Sequence, residues 1–186
     1  RDGIVCGEGA GAVVLEALEH AQARKAEILG EIRGFAINSA PNDIANPDVD
    51  SMVQCMTAAM DESGLSKASV DYINAHATGT VQGDEAEAQA IESVFGRETP
   101  VSSLKGHMGH TMAACGALES IATLLMMRQG VLVPTRNLQE PDVTCRRLNL
   151  PKAFERRPMS VAMVNSFALG GVNSAMVISG RFDSDR

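Results

Sequence analysis

Apolar residues alternate along the chain between short continuous runs and runs at helical spacing. The short runs predict strands over residues 10–16, 28–37, 70–74, 101–104, 160–165 and 175–179. A spacing of three and four residues predicts helices over residues 17–25, 49–63, 82–95 and 110–128. The last two strands are joined by a glycine-rich loop and are expected to pair antiparallel. Strands that alternate with helices are typical of an α/β protein.

Two of the predicted helices carry further information. The helix over 49–63 has a methionine stripe, which we interpret as core filling, with Asp48 as a candidate N-cap and Gly64 as a candidate stop. The segment 110–128 is apolar on almost every side, which predicts a helix buried at the centre of the fold. His110 would be the first residue of that helix.

Reactive polar residues follow directly on three of the predicted strands. The loops over 74–84, 102–111 and 167–173 contain His76, Lys105 and His110 among other polar residues. Because ligands of α/β proteins gather at the C-terminal ends of strands, these loops are candidate parts of one site.

His110 has the clearest chemical interpretation of the three. The positive end of the helix dipole would favour its neutral imidazole, which can still donate one N–H to an oxygen that becomes negative in a reaction. His76 could supply a second donor, and Lys105 adds a positive charge that favours an anion nearby. The spacing alone leaves open that the two histidines belong to unrelated loops.

Composition narrows the class of protein. The chain has 186 residues, 45% hydrophobic and 21% charged, as expected for one globular domain. With 3% aromatic residues and a net charge of −7, it is not expected to bind nucleic acid. Its four cysteines form no CxxC pair, and its longest apolar run is too short to span a bilayer. These features favour a reducing, cytoplasmic compartment.

Four motifs in order along the chain resemble those of one known family. They are RDGIVCGEGAGAVVLE at 1–16, HATGTVQGD at 76–84, KGHMGH at 105–110 and NSFALGGVN at 165–173. Together they resemble the C-terminal half of a β-ketoacyl-acyl-carrier-protein synthase, a condensing enzyme of the thiolase-like superfamily. The resemblance implies a thiolase-like α/β fold, with a mixed sheet and a buried central helix. It covers essentially the whole chain.

The resemblance also implies an activity and a role for each site residue. Enzymes of the family join an acyl group, held on a cysteine, to the enolate formed when malonyl thioester loses carbon dioxide. The resemblance implies that His76 and His110 donate hydrogen bonds to the thioester oxygen and that Lys105 supports this pair. It implies supporting carboxylates at Glu119, the buried partner of Lys105, and at Asp84. It also implies pantetheine contacts at Thr78 and Thr80 and an acyl-pocket gate at Phe167. No metal or organic cofactor is implied except the phosphopantetheine of the acyl carrier protein.

The same resemblance implies that residues 1–186 form a single C-terminal domain. The nucleophile of the family lies in an N-terminal half that precedes the matching segment, so we expect this chain alone to be incomplete as a synthase. The expected partners are acyl carrier protein, that N-terminal half and a second copy of the complete enzyme. Cys6 and Cys115 lie outside the nucleophile motif, and we interpret both as structural. Cys115 stands where the family has a small residue.

Several positions depart from the family pattern. Ala77 replaces a glycine after the first histidine, Val81 replaces a frequent proline, and Ala168 and Leu169 replace Gly and Phe in the gate loop. Since a missing glycine limits backbone freedom, the gate and the acyl specificity are expected to differ from the common pattern.

Three alternatives stay open at this point. A non-condensing partner subunit of the chain-length-factor type would share the fold, although His76, Lys105 and His110 argue against it. Gly7, Gly9 and Ala12 satisfy a dinucleotide-binding pattern, but a strand and not a helix is predicted after them. A metal site is a third possibility, from His76, His107, His110 and Cys115.

Overall fold

The computed structural model describes residues 3–40 and 46–180. The helices of these residues are α1 (Leu18–Ala23), α2 (Val49–Ser63), α3 (Val81–Phe95), α4 (Lys105–Met108) and α5 (Cys115–Gln129). The strands are β1 (Gly30–Ser39), β2 (Tyr72–Asn74), β3 (Val101–Ser102), β4 (Val131–Leu132), β5 (Glu155–Arg156), β6 (Val161–Phe167) and β7 (Val172–Gly180). The predicted α/β class is confirmed. The first two residues of the first motif lie outside the described residues.

One five-stranded sheet organises the chain, in the order β1-β7-β6-β2-β3. Strand β2 pairs in parallel with β3 on one side and with β6 on the other. Strand β7 pairs antiparallel with both β6 and β1, which confirms the antiparallel C-terminal pair. The sheet is therefore mixed, with its parallel part at the β3 edge. Strands β4 and β5 form a separate two-stranded ribbon.

Hydrophobic clusters cover both faces of the sheet. On one face, Met56 and Met60 of α2 and Ile91 of α3 pack against Ile73 and Met163 of the strands. The methionine stripe of α2 is thus core filling, as predicted. Successive strand residues point to opposite faces, so the neighbours of these strand residues join a second cluster. That cluster contains Tyr72, Ala162, Met126 and Met127.

The ends of α2 follow local sequence signals. The side chain of Asp48 accepts a hydrogen bond from the Asp50 N–H at 3.2 Å, and Gly64 ends the helix with a φ of 65°. Both predicted cap positions are confirmed. No helix in the described part of the chain is long and apolar enough to cross a membrane.

The strand predicted over residues 10–16 is wrong. This segment has no strand partner among the described residues, and Val13, Val14 and Leu15 are 50%, 87% and 72% exposed. It lies beside α5, since a Cβ placed at Gly9 or Gly11 would lie within 3.0–3.4 Å of the Leu118 side chain. An apolar, β-branched run favours extended backbone, but a strand also needs a neighbouring edge with which to bond.

The start of the long helix is also corrected. Helix α5 begins at Cys115, five residues after His110, and a 3₁₀ turn over 112–114 precedes it. Its buried face carries Cys115, Glu119 and Thr123, whereas Leu125 is 46% exposed. The helix is therefore not buried on all sides in this chain. Glu119 and Thr123 of this helix point inward, while part of its apolar surface is open.

Candidate active site

Three parallel strands bring the candidate residues to one edge of the sheet. Strands β6, β2 and β3 are neighbours and run in the same direction, so their C-terminal ends lie side by side. His76 follows the end of β2, Lys105 follows β3, and Phe167 ends β6. The site is positioned by the parallel part of the sheet, as expected for an α/β fold.

The two predicted histidines are in contact. The ring centroids of His76 and His110 are 5.4 Å apart and the rings are nearly perpendicular, at 87°. The backbone of His110 is held by the N-terminal segment: its N–H donates to the Val5 carbonyl at 2.7 Å, and its carbonyl accepts the Gly7 N–H at 3.0 Å. Tertiary pairing, and not a helix start, therefore fixes the position of His110.

Lys105 and Glu119 form the buried ion pair that the sequence predicted. Lys105 Nζ donates to Glu119 Oε1 at 2.5 Å, and the two side chains are 5% and 0% exposed. Burial raises the pKa of Glu119, while Lys105 acts in the opposite direction. Glu119 Oε2 has no hydrogen-bond partner in the part of the chain that the structure describes. The buried carboxylate of Glu119 is therefore stabilised mainly by Lys105.

Burial and Lys105 keep both histidines neutral at pH 7. The pKa of His76 is lowered to about 3, first by burial and then by the positive charge of Lys105 and the neighbouring His110. The pKa of His110 is also lowered, first by burial and then by Lys105. The predicted neutral imidazoles are supported, with burial as the first cause and Lys105 as the second; His110 is not the first residue of α5, which begins at Cys115.

The hydrogen bonds of His110 determine which ring nitrogen carries its proton. The backbone N–H of Met112 donates to Nδ1 of His110 at 3.2 Å. An N–H can only donate, so Nδ1 is an acceptor and the proton of the neutral ring lies on Nε2. Cys115 Sγ lies 3.0 Å from the same Nδ1.

Glu87 was missed by the sequence analysis, although it supports the His76 loop directly. Its carboxylate accepts the backbone N–H of His76 at 2.8 Å and that of Ala77 at 2.7 Å. Asn165 Nδ2 donates to the same carboxylate at 3.3 Å. Burial raises the pKa of Glu87 to about 7, against the effect of these donors. Helical spacing with the buried Ile91 could have indicated an inward carboxylate.

A cavity of about 610 Å³ opens beside the catalytic candidates. It is lined by Thr78, Asp84, Glu87, Lys105 and His110, among others. Asp84 Oδ1 accepts the Gly79 N–H at 3.1 Å and so fixes the loop that carries the two threonines.

Four predicted site residues do not line this cavity: His76, Thr80, Glu119 and Phe167. Thr80 is not a lining residue, but its hydroxyl lies 3.1 Å from that of Thr78. Phe167, the expected gate, is 7% exposed and packs in the hydrophobic cluster of α2 and α3. In this arrangement it is part of the core and does not line the cavity.

The geometry gives little support to two of the alternatives. The residues after the possible dinucleotide pattern at 7–12 form no helix before α1, whereas the dinucleotide motif must open one. His107 Nε2 lies 2.9 Å from the Pro134 carbonyl, and the ring packs edge-on against Phe154. Within residues 3–40 and 46–180, no three His, Cys, Asp or Glu side chains are grouped as metal ligands.

The chain belongs to a known family. Residues 29–139 match the family described as beta-ketoacyl synthase, C-terminal domain. This assignment agrees with the resemblance seen in the motifs, and the fold is that of the ketosynthases.

Curated relatives match the chain over nearly its whole length. It is 40% identical to 3-oxoacyl-[acyl-carrier-protein] synthase 2 of Coxiella burnetii, over 98% of the chain and 45% of that protein. It is also 40% identical to nodulation protein E of Rhizobium sp. (strain N33), over 95% of the chain and 44% of that protein. The chain thus spans less than half the length of these relatives.

Solved structures show the same fold. The ishigamide ketosynthase/chain length factor superposes with a TM-score of 0.93 and 34% identity, over 98% of this chain and 45% of that one. A ketosynthase in complex with its type II PKS acyl-carrier protein (AntDE:AntF) has a TM-score of 0.83 and 32% identity, over 90% and 42%.

Proposed function

We propose that this chain is the C-terminal half of a β-ketoacyl-acyl-carrier-protein synthase and carries the groups that stabilise the enolate of the condensation. The observation that carries the proposal is the edge-on contact between His76 and His110 at 5.4 Å, beside a buried Lys105–Glu119 pair. The relatives that bear the name 3-oxoacyl-acyl-carrier-protein synthase support the reaction class.

The chemistry follows from two neutral N–H donors at one oxygen. When malonyl thioester loses carbon dioxide, the electron pair of the breaking carbon–carbon bond moves to the thioester and places negative charge on its oxygen. Nε2–H of His110 can donate to this oxygen without changing its own charge, and His76 would be the second donor. Removing one such donor typically reduces the rate on the order of a hundredfold or more. The enolate carbon then attacks the carbonyl carbon of the acyl thioester; a carbon–carbon bond forms, the carbon–sulfur bond breaks, and the cysteine thiolate leaves.

The supporting residues act through the histidines. Lys105 adds a fixed positive charge that favours the anion and keeps both rings neutral, and Glu119 compensates that charge in the interior. Thr78 and Thr80 would contact the pantetheine arm in the cavity, and Asp84 holds their loop. Phe167 would act as the acyl gate only after moving out of the core.

The remaining parts of the enzyme would come from outside this chain. We propose an N-terminal half that supplies the nucleophile, an acyl carrier protein as substrate, a homodimer of the complete enzyme, and a cytoplasmic location. The exposed apolar residues Val13, Val14 and Leu15 support a missing half, because a large apolar surface marks an interaction site. The neighbour solved with its carrier protein supports the second partner.

A non-condensing, chain-length-factor-like subunit is the second candidate function. It is favoured by a neighbour whose name joins a ketosynthase to a chain length factor. The neutral histidine pair argues against it, because binding an intermediate requires no enolate donor. A cysteine at the nucleophile position of the N-terminal half would decide for the synthase.

The test separates the two half-reactions in the full-length protein. His76→Ala and His110→Ala should each lose decarboxylation of malonyl-carrier protein by about a hundredfold or more. Both should retain acyl transfer to the nucleophile, since this step forms no enolate. His20→Ala, with a 72% exposed side chain, is the matched control. Decarboxylation at the wild-type rate in both variants would mean that the family assignment covers the fold and not the chemistry.

A further inference from the structure

We propose that Cys115 is a positioning residue for His110: its thiol donates to Nδ1 and keeps the ring proton on Nε2. The inference rests on the proposed function, in which Nε2–H donates to the enolate oxygen. Cys115 is the first residue of α5 and is 3% exposed, and its Sγ lies 3.0 Å from His110 Nδ1.

The direction of the hydrogen bond follows from the neighbouring donors. Met112 N–H donates to the same Nδ1 at 3.2 Å, so Nδ1 holds no proton and the thiol must be the donor. The hydroxyl of Thr111 donates in turn to Cys115 Sγ at 3.3 Å. The result is a short relay from Thr111 O–H to Cys115 S–H to His110 Nδ1, with both protons pointing toward the ring.

The same geometry argues against a reactive ion pair. A thiolate beside a protonated imidazole would place a proton on Nδ1, where it would face the Met112 N–H. The backbone of Met112 is left-handed, with a φ of 53°, and its N–H points at the ring nitrogen. Cys115 is therefore a hydrogen-bond donor and not a nucleophile.

The thiol is a departure from the family pattern that the resemblance implies. The resemblance places a small residue at this position, which would leave Met112 N–H as the donor to Nδ1. With Cys115, two donors converge on Nδ1, and both disfavour the tautomer in which Nε2 could not donate. The net free-energy contribution of one hydrogen bond is about 0.5–1.5 kcal/mol, and losing that amount of transition-state stabilisation would lower the rate about 2- to 12-fold.

The experiment compares Cys115→Ala with Cys115→Ser in the full-length protein, with Cys55→Ala as the control at a buried cysteine whose Sγ contacts the Ala36 carbonyl. Ring ¹⁵N shifts of His110, measured by magic-angle-spinning NMR after histidine labelling, report the tautomer without requiring activity. We expect the Nε2–H form in the wild type, a mixture in Cys115→Ala, and recovery in Cys115→Ser. Decarboxylation should fall about 2- to 12-fold in kcat, with KM unchanged, only in Cys115→Ala.

Each result has one meaning. Unchanged ring shifts in Cys115→Ala, or selective alkylation of Cys115 over Cys55 at pH 7, would overturn the positioning role. A different combination would overturn the proposed function and leave the hydrogen bond established. In that case the ring shifts of His110 change in Cys115→Ala, but His110→Ala decarboxylates malonyl-carrier protein at the wild-type rate.

Discussion

Ala77, the residue after His76, is a position where one substitution should make the protein more stable. Its φ is 24°, outside the backbone region that L residues normally occupy. It cannot relax freely, because its N–H donates to Glu87 at 2.7 Å and its carbonyl accepts the Ser103 hydroxyl at 3.2 Å. The hydrogen bonds that hold the His76 loop thus maintain the strain at Ala77.

The expected gain follows from two opposing effects. Left-handed backbone costs an L residue about 1–2 kcal/mol, and glycine removes this cost. Glycine also increases the entropy of the unfolded chain, which costs about 0.4–1 kcal/mol. We therefore expect Ala77→Gly to raise the free energy of unfolding by about 0.5–1 kcal/mol. Urea unfolding of the full-length protein measures the difference.

Ala168 provides the matched control, because it also replaces a family glycine. In the gate loop the positive φ values belong to Gly170, at 84°, and Gly171, at 75°, and Ala168 has no such value. Its N–H donates to the Val172 carbonyl at 2.8 Å in an ordinary turn. Ala168→Gly should therefore lower the free energy of unfolding by about 0.4–1 kcal/mol. Equal effects of the two substitutions, or a loss of stability in Ala77→Gly, would refute the strain at Ala77.

Two further predictions concern the buried charges and the histidine pair. Lys105→Met should lower the free energy of unfolding by about 3–5 kcal/mol, because it leaves the carboxylate of Glu119 buried without its cation. In urea unfolding, the double variant that adds Glu119→Gln should recover part of this loss. The lowered pKa of His76 means that its neutral form stabilises the fold fully above pH 6.5, and that this stability is lost as the pH falls toward about 3. The difference in stability between the wild type and His76→Asn should shrink over that window, and a constant difference would contradict the neutral, buried ring.

Much of the fold could be predicted from local patterns. Helix α2 has the predicted bounds, because the methionine spacing, the Asp48 cap and the Gly64 stop all act within a few residues. The Lys105–Glu119 pair was predictable because a carboxylate on an otherwise apolar helix needs a cation. The histidine pair could be proposed because both residues follow parallel strands.

What the sequence determined alone is the set of reactive residues and the elements that carry them. Only the tertiary structure decided how they meet: that His110 lies before α5 on a backbone paired with Val5, that Glu87 binds the N–H groups of the His76 loop, and that Cys115 contacts His110. The apolar run at 10–16 stayed unpaired because strand formation depends on a neighbouring edge. Hydrogen bonds between residues distant in sequence depend on three-dimensional distance, which no local pattern encodes.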